Sequence, residues 1–365
     1  MVRVPISVQP RPYEAVIERG LLSRAGESLR QLFPDRKRCF IITVPAVRKR
    51  WAKKLLASLS ETGWDPKLLE MGDGERYKTL STVEQLAEKL SAAGADRQAV
   101  VLAFGGGVVG DVAGLLASLY MRGVEVVQVP TTVLAQVDAS IGGKTGVDLK
   151  AGKNLVGTFH QPRAVLIDPD VLSTLSDREF RSGLYEIVKA GVIGRPQLFE
   201  RFERERHAIL QREPDVVECL IAESVKLKAE VVSADEKEAG LRQVLNFGHT
   251  IGHALETETD YEHFLHGEAI AWGMVAAANI AVMLGKTTGK TAARITDGVL
   301  GLGPLPKVEA RGAAILRRMQ SDKKTKDGVV HFILPKEIGR VEIVNDVPKD
   351  AVLDAVEKIR RKSRN

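Results

Sequence analysis

Short apolar runs alternate with helical patterns in the first half of the chain. Four runs rich in β-branched residues are bounded by Gly, Pro or Asp, which is typical of buried strands. They are Cys39–Val44, Val100–Phe104, Val124–Val129 and Val165–Ile167. Strands separated by helical segments indicate βαβ units, so we expect a mostly parallel sheet with helices on its faces.

The segment between the first two runs carries the signs of a capped helix. Ser81 and Glu84 are spaced as a capping box, and Gly94 suits the position just past a helix end. Apolar residues follow the i, i+3, i+4, i+7 pattern at Val83, Leu86, Ala87 and Leu90.

The pattern changes near Asp177, after which helical periodicity dominates apart from a β-like stretch at Val329–Leu334. Residues 168–180 interrupt regular structure with Asp-Pro-Asp and Ser-Thr-Leu-Ser. A chain of 365 residues is also too long for one ordinary core. We therefore predict a Rossmann-like α/β domain over residues 1–176 and a mostly α-helical domain over residues 177–365.

Composition excludes several classes of protein. With 44% hydrophobic and 27% charged residues, the chain is typical of a globular protein. The net charge of +6 could attract nucleic acid, but five basic residues lie in the last eight positions, and no nucleic-acid motif accompanies them. No nucleic-acid partner is expected.

Neither export nor a membrane partner is expected. The chain starts without the long apolar stretch of a signal peptide, and Ala269–Leu284 is too short for a membrane span and is better interpreted as a buried helix. Cys39 and Cys219 lie in no paired motif, so we expect reduced, buried thiols and a cytoplasmic location.

Three of the seven histidines, His249, His253 and His266, fall within 18 residues. His249 and His253 are four apart and project from one face of a helix, which suggests a zinc pair. Histidines at this spacing are also common as hydrogen-bonded core or surface residues. The residues alone leave both interpretations open.

Glycine-rich segments suggest binding of phosphate. Gly105 to Asp111 follow a predicted strand and lead into an apolar helix at Val112–Met121, where backbone N–H groups could approach a phosphate. Further on, Thr131, Thr132 and Asp138 precede two Gly-Lys pairs, at Lys144 and at Lys153 with Asn154. Tight or solvated turns without a ligand are the alternative for both segments.

One lysine lies on an apolar helix face. Val217, Leu220, Ile221, Ser224 and Lys228 share a face at about 100° per residue. Lys228 must therefore either reach solvent or meet an anion. Glu186 and Lys189, three apart, also share a face, where a surface ion pair is the ordinary alternative.

Taken in order, these motifs make the chain resemble the 3-dehydroquinate synthase family over nearly its whole length. The matching segments are DGERYK from Asp73, GGGVVGDVAG from Gly105, YMRG from Tyr120, VPTTVLAQVDASIGGKTGV from Val129, GKNLVG from Gly152, DEKEAGLRQVLNFGHTIGHALE from Asp235 and LHGEA from Leu265. The resemblance implies NAD, one divalent metal, zinc or else cobalt, and a homodimer.

The resemblance also assigns the metal ligands. It implies Glu186, His249 and His266, with His253 contacting the substrate phosphate instead. One glutamate and two histidines leave coordination positions open for substrate hydroxyls. The simple zinc pair of His249 and His253 is therefore not what the family pattern favours.

The implied NAD contacts come from several segments of the predicted α/β domain. They are Asp73, Glu75, Lys78, Gly105, Gly106, Gly107, Gly110, Asp111, Thr131, Thr132, Asp138, Lys144, Lys153, Val171, Leu172, Ser173 and Thr174.

The implied substrate contacts divide by the group they bind. Lys189, Lys228, Arg242 and Asn246 match contacts to the hydroxyls and the carboxylate. Asn154, His253 and either Lys323 or Lys324 match the phosphate pocket, while Arg122 reaches a neighbouring subunit's site. Tyr185 and Ala190 depart from the usual family residues beside Glu186 and Lys189.

The implied reaction converts 3-deoxy-D-arabino-heptulosonate 7-phosphate to 3-dehydroquinate and phosphate, with transient oxidation by NAD. A sugar phosphate cyclase such as 2-deoxy-scyllo-inosose or valiolone synthase is the nearest alternative, but its substrate lacks a carboxylate. A metal-dependent alcohol dehydrogenase would release NADH, and an inactive regulatory subunit would have lost metal ligands.

Overall fold

The computed structural model describes residues 1–321 and 330–364. They form two compact units. The first unit contains Met1–Ser176 and Val217–Lys237, and the second contains Asp177–Val216 and the chain from Glu238 onward. The first division falls between Ser176 and Asp177, and residues 217–237 pack within the first unit although they follow the start of the second along the chain.

The strands of the first unit make one seven-stranded sheet in the order β1-β2-β9-β6-β5-β3-β4 and a separate hairpin, β7–β8. Only β1 pairs antiparallel in the large sheet. The bounds are β1 Val2–Ile6, β2 Tyr13–Ile17, β3 Arg38–Thr43, β4 Asp65–Glu70, β5 Val100–Gly105, β6 Glu125–Pro130, β7 Lys144–Leu149, β8 Gly152–Phe159 and β9 Ala164–Ile167, with β10 Phe332–Glu337 and β11 Arg340–Val344 pairing in the second unit.

The α-helices occur in both units and make up most of the regular structure of the second. Their bounds are α1 Ala25–Leu32, α2 Pro45–Val47, α3 Lys53–Glu61, α4 Leu80–Ala92, α5 Gly107–Leu119, α6 Asp177–Gly194, α7 Pro196–Leu210, α8 Pro214–Ala234, α9 His249–Glu258, α10 His266–Met283, α11 Gly289–Leu300, α12 Gly312–Ser321 and α13 Lys349–Lys362. Short 3₁₀ turns occur at Glu75–Tyr77, Tyr120–Arg122, Pro169–Thr174 and Leu241–Asn246, and a π-helical turn at Ala135–Ala139.

The predicted α/β class with a mostly parallel sheet and a largely helical remainder is confirmed. All four apolar runs are strands, each within about one residue of the predicted bounds. Strand β5 is buried at every position, as a central parallel strand with helices on both faces should be. The late β-like stretch is also a strand, although β10 begins only at Phe332 and Val329 lies outside the described residues.

Two local predictions need correction. The N-cap of α4 is Thr79, whose extended backbone lets its hydroxyl accept a bond from the Thr82 N–H at 3.2 Å, so Ser81 lies inside the first turn. Helix α5 begins at Gly107, five residues before the predicted start at Val112. Its glycines therefore belong partly to the helix and not only to the turn.

The second unit is built around α10, which packs against α6, α9, α11 and α13. Two glycines let its backbone approach its neighbours. A Cβ on Gly273 would lie 1.9 Å from the carbonyl oxygen of Gly248, and one on Gly267 would lie 1.8 Å from that of Ser182. Any larger residue would separate α10 from α9 and α6, the helices that carry the candidate metal ligands.

Helix α10 is buried over most of its length, as expected of Ala269–Leu284. Within the described ranges, none of the helices is long and apolar enough to cross a membrane. Both cysteines are free, but only Cys39 is buried, whereas Cys219 is partly exposed. Burial raises the pKa of the Cys39 thiol to about 12, so it stays protonated and unreactive.

Candidate functional site: a histidine–carboxylate cluster and a glycine–lysine cluster

Three helices of the second unit bring Glu186, His249 and His266 together. Glu186 lies in the middle of α6, while the two histidines are the first residues of α9 and α10. Oε1 of Glu186 lies 3.8 Å from Nε2 of His249 and 3.9 Å from Nε2 of His266. Two atoms bonded to a shared zinc ion at about 2.1 Å can be at most about 4.2 Å apart, so both distances fit.

One carboxylate oxygen of Glu186, Oε1, is buried without a hydrogen-bond donor in the described part of the chain. The residue is 2% exposed, and Oε2 forms an ion pair with Lys189. Among the described residues, no group donates a hydrogen bond to Oε1. A buried carboxylate oxygen without a donor is costly unless a cation occupies the space beside it. The donor set thus fits a divalent metal.

Each of the two histidines has its other ring nitrogen engaged. Nδ1 of His249 lies 3.2 Å from the carbonyl oxygen of Phe247, and Nδ1 of His266 lies 3.3 Å from Oε2 of Glu256. Burial lowers the pKa of His266, but the Glu256 and Glu186 carboxylates outweigh that effect and leave the pKa above its usual range. The same negative field would attract a metal cation.

His253 also belongs to the cluster. The ligand nitrogens of His249, His253 and His266 all lie within 4.8 Å of one another. The geometry therefore allows two alternative sets of three metal ligands. Both contain His249 and His266, and the third ligand is either Glu186 or His253. The sequence spacing left the same two alternatives open.

The other predicted groups of this unit are mostly buried. Lys189 is 3% exposed, so the ordinary surface ion pair with Glu186 is the wrong interpretation. Arg242 is 2% exposed in the 3₁₀ turn that ends at Asn246. Asn246 donates a hydrogen bond to Glu238 at 2.8 Å, a contact that sequence reasoning missed.

In the first unit, the glycine turn has the predicted strand-to-helix position. Strand β5 ends at Gly105, and Gly106 is the N-cap of α5. No side chain in the described part of the chain caps this helix, so its first N–H groups remain available to an anion. A Cβ on Gly106 would lie 3.2 Å from the Thr132 methyl group, which places predicted NAD contacts from two strands side by side.

Lys78 is a buried side chain at the centre of a partly exposed cluster in this unit. Its Nζ lies 2.6 Å from Oδ2 of Asp111 and donates to the side-chain oxygen of Asn154. Burial lowers the pKa of Lys78, but the charges of Asp111, Glu75 and Asp148 outweigh it, so the pKa is raised and the amine stays protonated. The structure therefore joins the predicted cofactor residue Lys78 to the predicted phosphate contact Asn154.

The β7–β8 hairpin adds Lys153 and Asp148 to this cluster. Lys153 forms an ion pair with Glu75 at 3.0 Å. Asp148 accepts a bond from the Asn154 N–H at 2.7 Å and donates its own N–H to the Lys78 carbonyl. Asp148 was not predicted, because nothing in its spacing distinguishes it from a solvated turn residue.

Lys228 lies on the predicted inward face of α8 and is 8% exposed. Its Nζ donates to both the backbone carbonyl and the carboxylate of Asp138, on the π-helical turn. The choice left open by the sequence is thereby decided, because Lys228 meets an anion and does not reach solvent. That anion belongs to the protein itself and is another predicted site residue.

The remaining predicted residues occupy separate positions. Asp73, Arg122 and Lys144 are exposed, while Thr131 is buried and its N–H bonds the Gly105 carbonyl. The stretch Val171, Leu172, Ser173 and Thr174 forms a 3₁₀ turn. Lys323 and Lys324 lie outside the described residues.

Comparisons with known proteins match the N-terminal and C-terminal parts of the chain to two separate family models. Family models of the 3-dehydroquinate synthase N-terminal and C-terminal domains match residues 68–182 and 183–325. A 3-dehydroquinate synthase of Koribacter versatilis (strain Ellin345) is 56% identical over 99% of this chain and 98% of its own length.

Solved structures of related enzymes share the fold. A 2-epi-5-epi-valiolone synthase of Streptomyces hygroscopicus subsp. jinggangensis 5008, with NAD⁺ and Zn²⁺ bound, has a TM-score of 0.89 and 30% identity over 98% of this chain and 99% of its own. A 2-deoxy-scyllo-inosose synthase complexed with carbaglucose-6-phosphate, NAD⁺ and Co²⁺ has a TM-score of 0.88 and 28% identity over 98% of this chain and 100% of its own.

The α/β unit with its glycine turn and the helical unit with its histidine–carboxylate cluster define an enzyme of the sugar phosphate cyclase class. Identity over nearly the full length then separates the members of that class. The chain belongs to the 3-dehydroquinate synthase family.

Proposed function

We propose that the chain converts 3-deoxy-D-arabino-heptulosonate 7-phosphate to 3-dehydroquinate and phosphate. The main support for this proposal is the buried Oε1 atom of Glu186, which faces Nε2 of both His249 and His266. Family membership supplies the reaction, and this cluster indicates that the chain keeps the machinery for it. An inactive regulatory subunit would have no reason to retain such a costly buried arrangement.

Glu186, His249 and His266 are the proposed ligands of one divalent metal, with zinc preferred for its affinity for nitrogen and carboxylate donors. A metal there would act as a Lewis acid on substrate oxygens, and NAD would accept and return a hydride. His253 is proposed to bind phosphate instead. Support comes from the buried Glu186 carboxylate, which completes the set without His253.

NAD is proposed to bind the first unit, with its pyrophosphate at the N-terminus of α5. The uncapped N–H groups after Gly106 support this, since they favour an anion. Glu75, Lys78 and Asp111, with the hairpin residue Lys153, are proposed to order the rest of the cofactor site. Both cofactor-bearing relatives described above, at 30% and 28% identity, contain NAD⁺.

The chain's own side chains perform the remaining tasks. Lys189 and Lys228, each paired with a carboxylate, are proposed to donate hydrogen bonds to substrate hydroxyls. Arg242 presents a planar pair of donors suited to the substrate carboxylate. Asn154 is proposed to contact the phosphate that leaves, as is Lys324, which lies outside the described residues. No separate general base is needed if the substrate phosphate itself takes the proton during elimination.

Product analysis with three substrates tests the proposal. The purified protein should turn over the heptulosonate phosphate to 3-dehydroquinate and one phosphate, and should leave sedoheptulose 7-phosphate and glucose 6-phosphate unchanged. Cyclisation of either sugar phosphate at comparable efficiency would support the neighbouring cyclase activity and contradict the proposal.

A homodimer is also proposed, with Arg122 acting in the partner's site. Arg122 is exposed in a turn where both it and Met121 have left-handed backbone angles, a strained conformation that is often functional. Exposed apolar side chains flank this turn and continue on the β7–β8 hairpin. They are Leu119, Met121, Leu149, Leu155 and Phe159.

Complementation tests the role of Arg122. Arg122→Ala and Lys228→Ala should each be inactive but regain part of the activity when refolded together, because one site of a mixed dimer has both residues. Absence of recovery in demonstrated mixed dimers would place Arg122 in its own subunit's site.

A further inference from the structure

The ring of His266 lies between two carboxylates, one at each nitrogen. Nδ1 is 3.3 Å from Oε2 of Glu256 on α9, and Nε2 is 3.9 Å from Oε1 of Glu186 on α6. Glu256 is 4% exposed, and burying a carboxylate is costly unless it serves a partner. The arrangement gives each of the two carboxylates a separate nitrogen to act on.

A histidine that binds a cation through Nε2 carries its proton on Nδ1, and that proton needs an acceptor. For His249 the acceptor is the Phe247 carbonyl, which the backbone fixes in place. For His266 it is the side chain of Glu256. The second histidine therefore depends on a residue that can be replaced without changing the backbone.

Glu256 reaches His266 because of its position on α9. It follows His249 by seven residues, two turns along the same helix face. The close backbone approach of α9 and α10 at Gly273 brings that face up to the first residue of α10. One helix thus supplies both a candidate ligand and the group that orients a ligand on another helix.

We propose that Glu256 is a positioning residue that holds His266 with its proton on Nδ1 and with Nε2 directed at Glu186. The inference rests on the proposed function, since it takes Nε2 of His266 to be a metal ligand. Glu256 does not touch the metal; it raises the affinity by fixing the ring orientation and by strengthening the imidazole as a donor.

Chelator competition for Zn²⁺ on the full-length protein tests this role. Glu256→Leu should weaken zinc binding by about 10- to 100-fold, the cost of losing such an orienting carboxylate. Glu256→Gln should recover much of that loss, because its amide oxygen can still accept the Nδ1–H bond.

Glu258 provides a matched control on the same helix. Two residues beyond Glu256, it projects from a different face of α9 and forms an ion pair with Arg318 at 2.8 Å. Glu258→Leu and Glu258→Gln should leave zinc affinity unchanged. If Glu256→Leu does not fold, the comparison of Glu256→Gln and Glu256→Asp with Glu258→Gln decides, since only the Glu256 variants should change zinc affinity or its dissociation rate.

The outcomes separate this inference from the proposed function. A wild-type protein that binds zinc, with Glu256 variants of unchanged affinity, overturns the role of Glu256 alone. Variants that lower the melting temperature of the metal-free protein without changing zinc affinity overturn it too, because the residue is then only structural. A wild-type protein that binds no divalent metal overturns both proposals.

Discussion

Each unit of the chain holds a buried lysine against a carboxylate, but the two carboxylates differ, because Glu186 is buried and Asp111 is partly exposed. In the first unit, Lys78 donates to Asp111 and to Asn154, so the cation has close protein partners. In the second unit, Lys189 pairs with Oε2 of Glu186, and the Nε2 atoms of two histidines face Oε1. A buried lysine paired with a carboxylate is common to both units, so it does not by itself identify a metal site.

The two lysine–carboxylate pairs differ in one atom, Oε1 of Glu186, which accepts no hydrogen bond from the described residues. A buried ion pair gains stability only when the remaining lone pairs and protons are satisfied. In the Lys78 cluster the Asp111 carboxylate is partly exposed, so Lys78 and solvent together can meet that condition. The Glu186 cluster does not meet it with the described residues alone, which is why a cation is expected there.

The largest expected effect comes from removing the negative charge of Glu186. Glu186→Gln keeps the shape but removes the charge, so we expect loss of bound metal and a fall in kcat/KM by a factor on the order of 10³, equivalent to several kcal/mol. Elemental analysis measures the metal content. His249→Ala and His266→Ala, which remove the other two proposed ligands, should lose the metal as well.

His253→Ala tests whether His253 is a metal ligand or a phosphate contact. It should retain metal while losing activity, because His253 is proposed to bind phosphate. If His253→Ala loses metal as completely as His249→Ala, the three histidines are the ligands, and the comparison between the two lysine pairs loses its basis.

A second, smaller effect concerns stability in the first unit. Lys78→Met leaves the partly exposed Asp111 carboxylate without its buried cation, so we expect a loss of up to about 3–5 kcal/mol in the free energy of unfolding, the cost of breaking a fully buried pair. Denaturant titration measures it. Lys153→Met, which removes a more exposed ion pair with Glu75, should cost only about 0–1 kcal/mol. Equal costs for the two variants would show that Lys78 is effectively solvated.

The smallest effect tests the substrate carboxylate. Arg242→Lys should lower kcat/KM for the heptulosonate phosphate by at least about tenfold, because a charge-assisted bond worth roughly 1.5–3 kcal/mol is lost. Metal content and NAD affinity should stay unchanged, since Arg242 is proposed to contact neither. An unaltered kcat/KM would remove Arg242 from the substrate site.

The sequence predicts the repeating parts of the fold well, because strands such as β5 and the inward face of α8 depend on local periodicity. It predicts the helix starts less well. Thr79 and Ser81 are both acceptable caps, and only the backbone angles distinguish them. The glycines of α5 likewise suit a turn or a helix until the sheet beside them is known.

The candidate site is predictable where the partner is near in sequence or where the family resemblance supplies it. Glu256 could have been found, since it shares a helix face with His249 and His253. The pairing of Lys228 with Asp138 could not, because 90 residues separate them and no local pattern records a contact of that range. Asp148 was missed for a different reason, because its contact with Asn154, six residues away, depends on the register of the β7–β8 hairpin.

The central claim is that hydride leaves the substrate and returns to it within one turnover. We would incubate the metal-loaded enzyme with the heptulosonate phosphate and substoichiometric NAD⁺, and follow 3-dehydroquinate, phosphate and NADH absorbance together. The account predicts many turnovers per NAD⁺, one phosphate per product and no steady accumulation of NADH. Accumulation of NADH in step with product, with turnover ending when NAD⁺ is consumed, would identify a simple dehydrogenase and contradict the account.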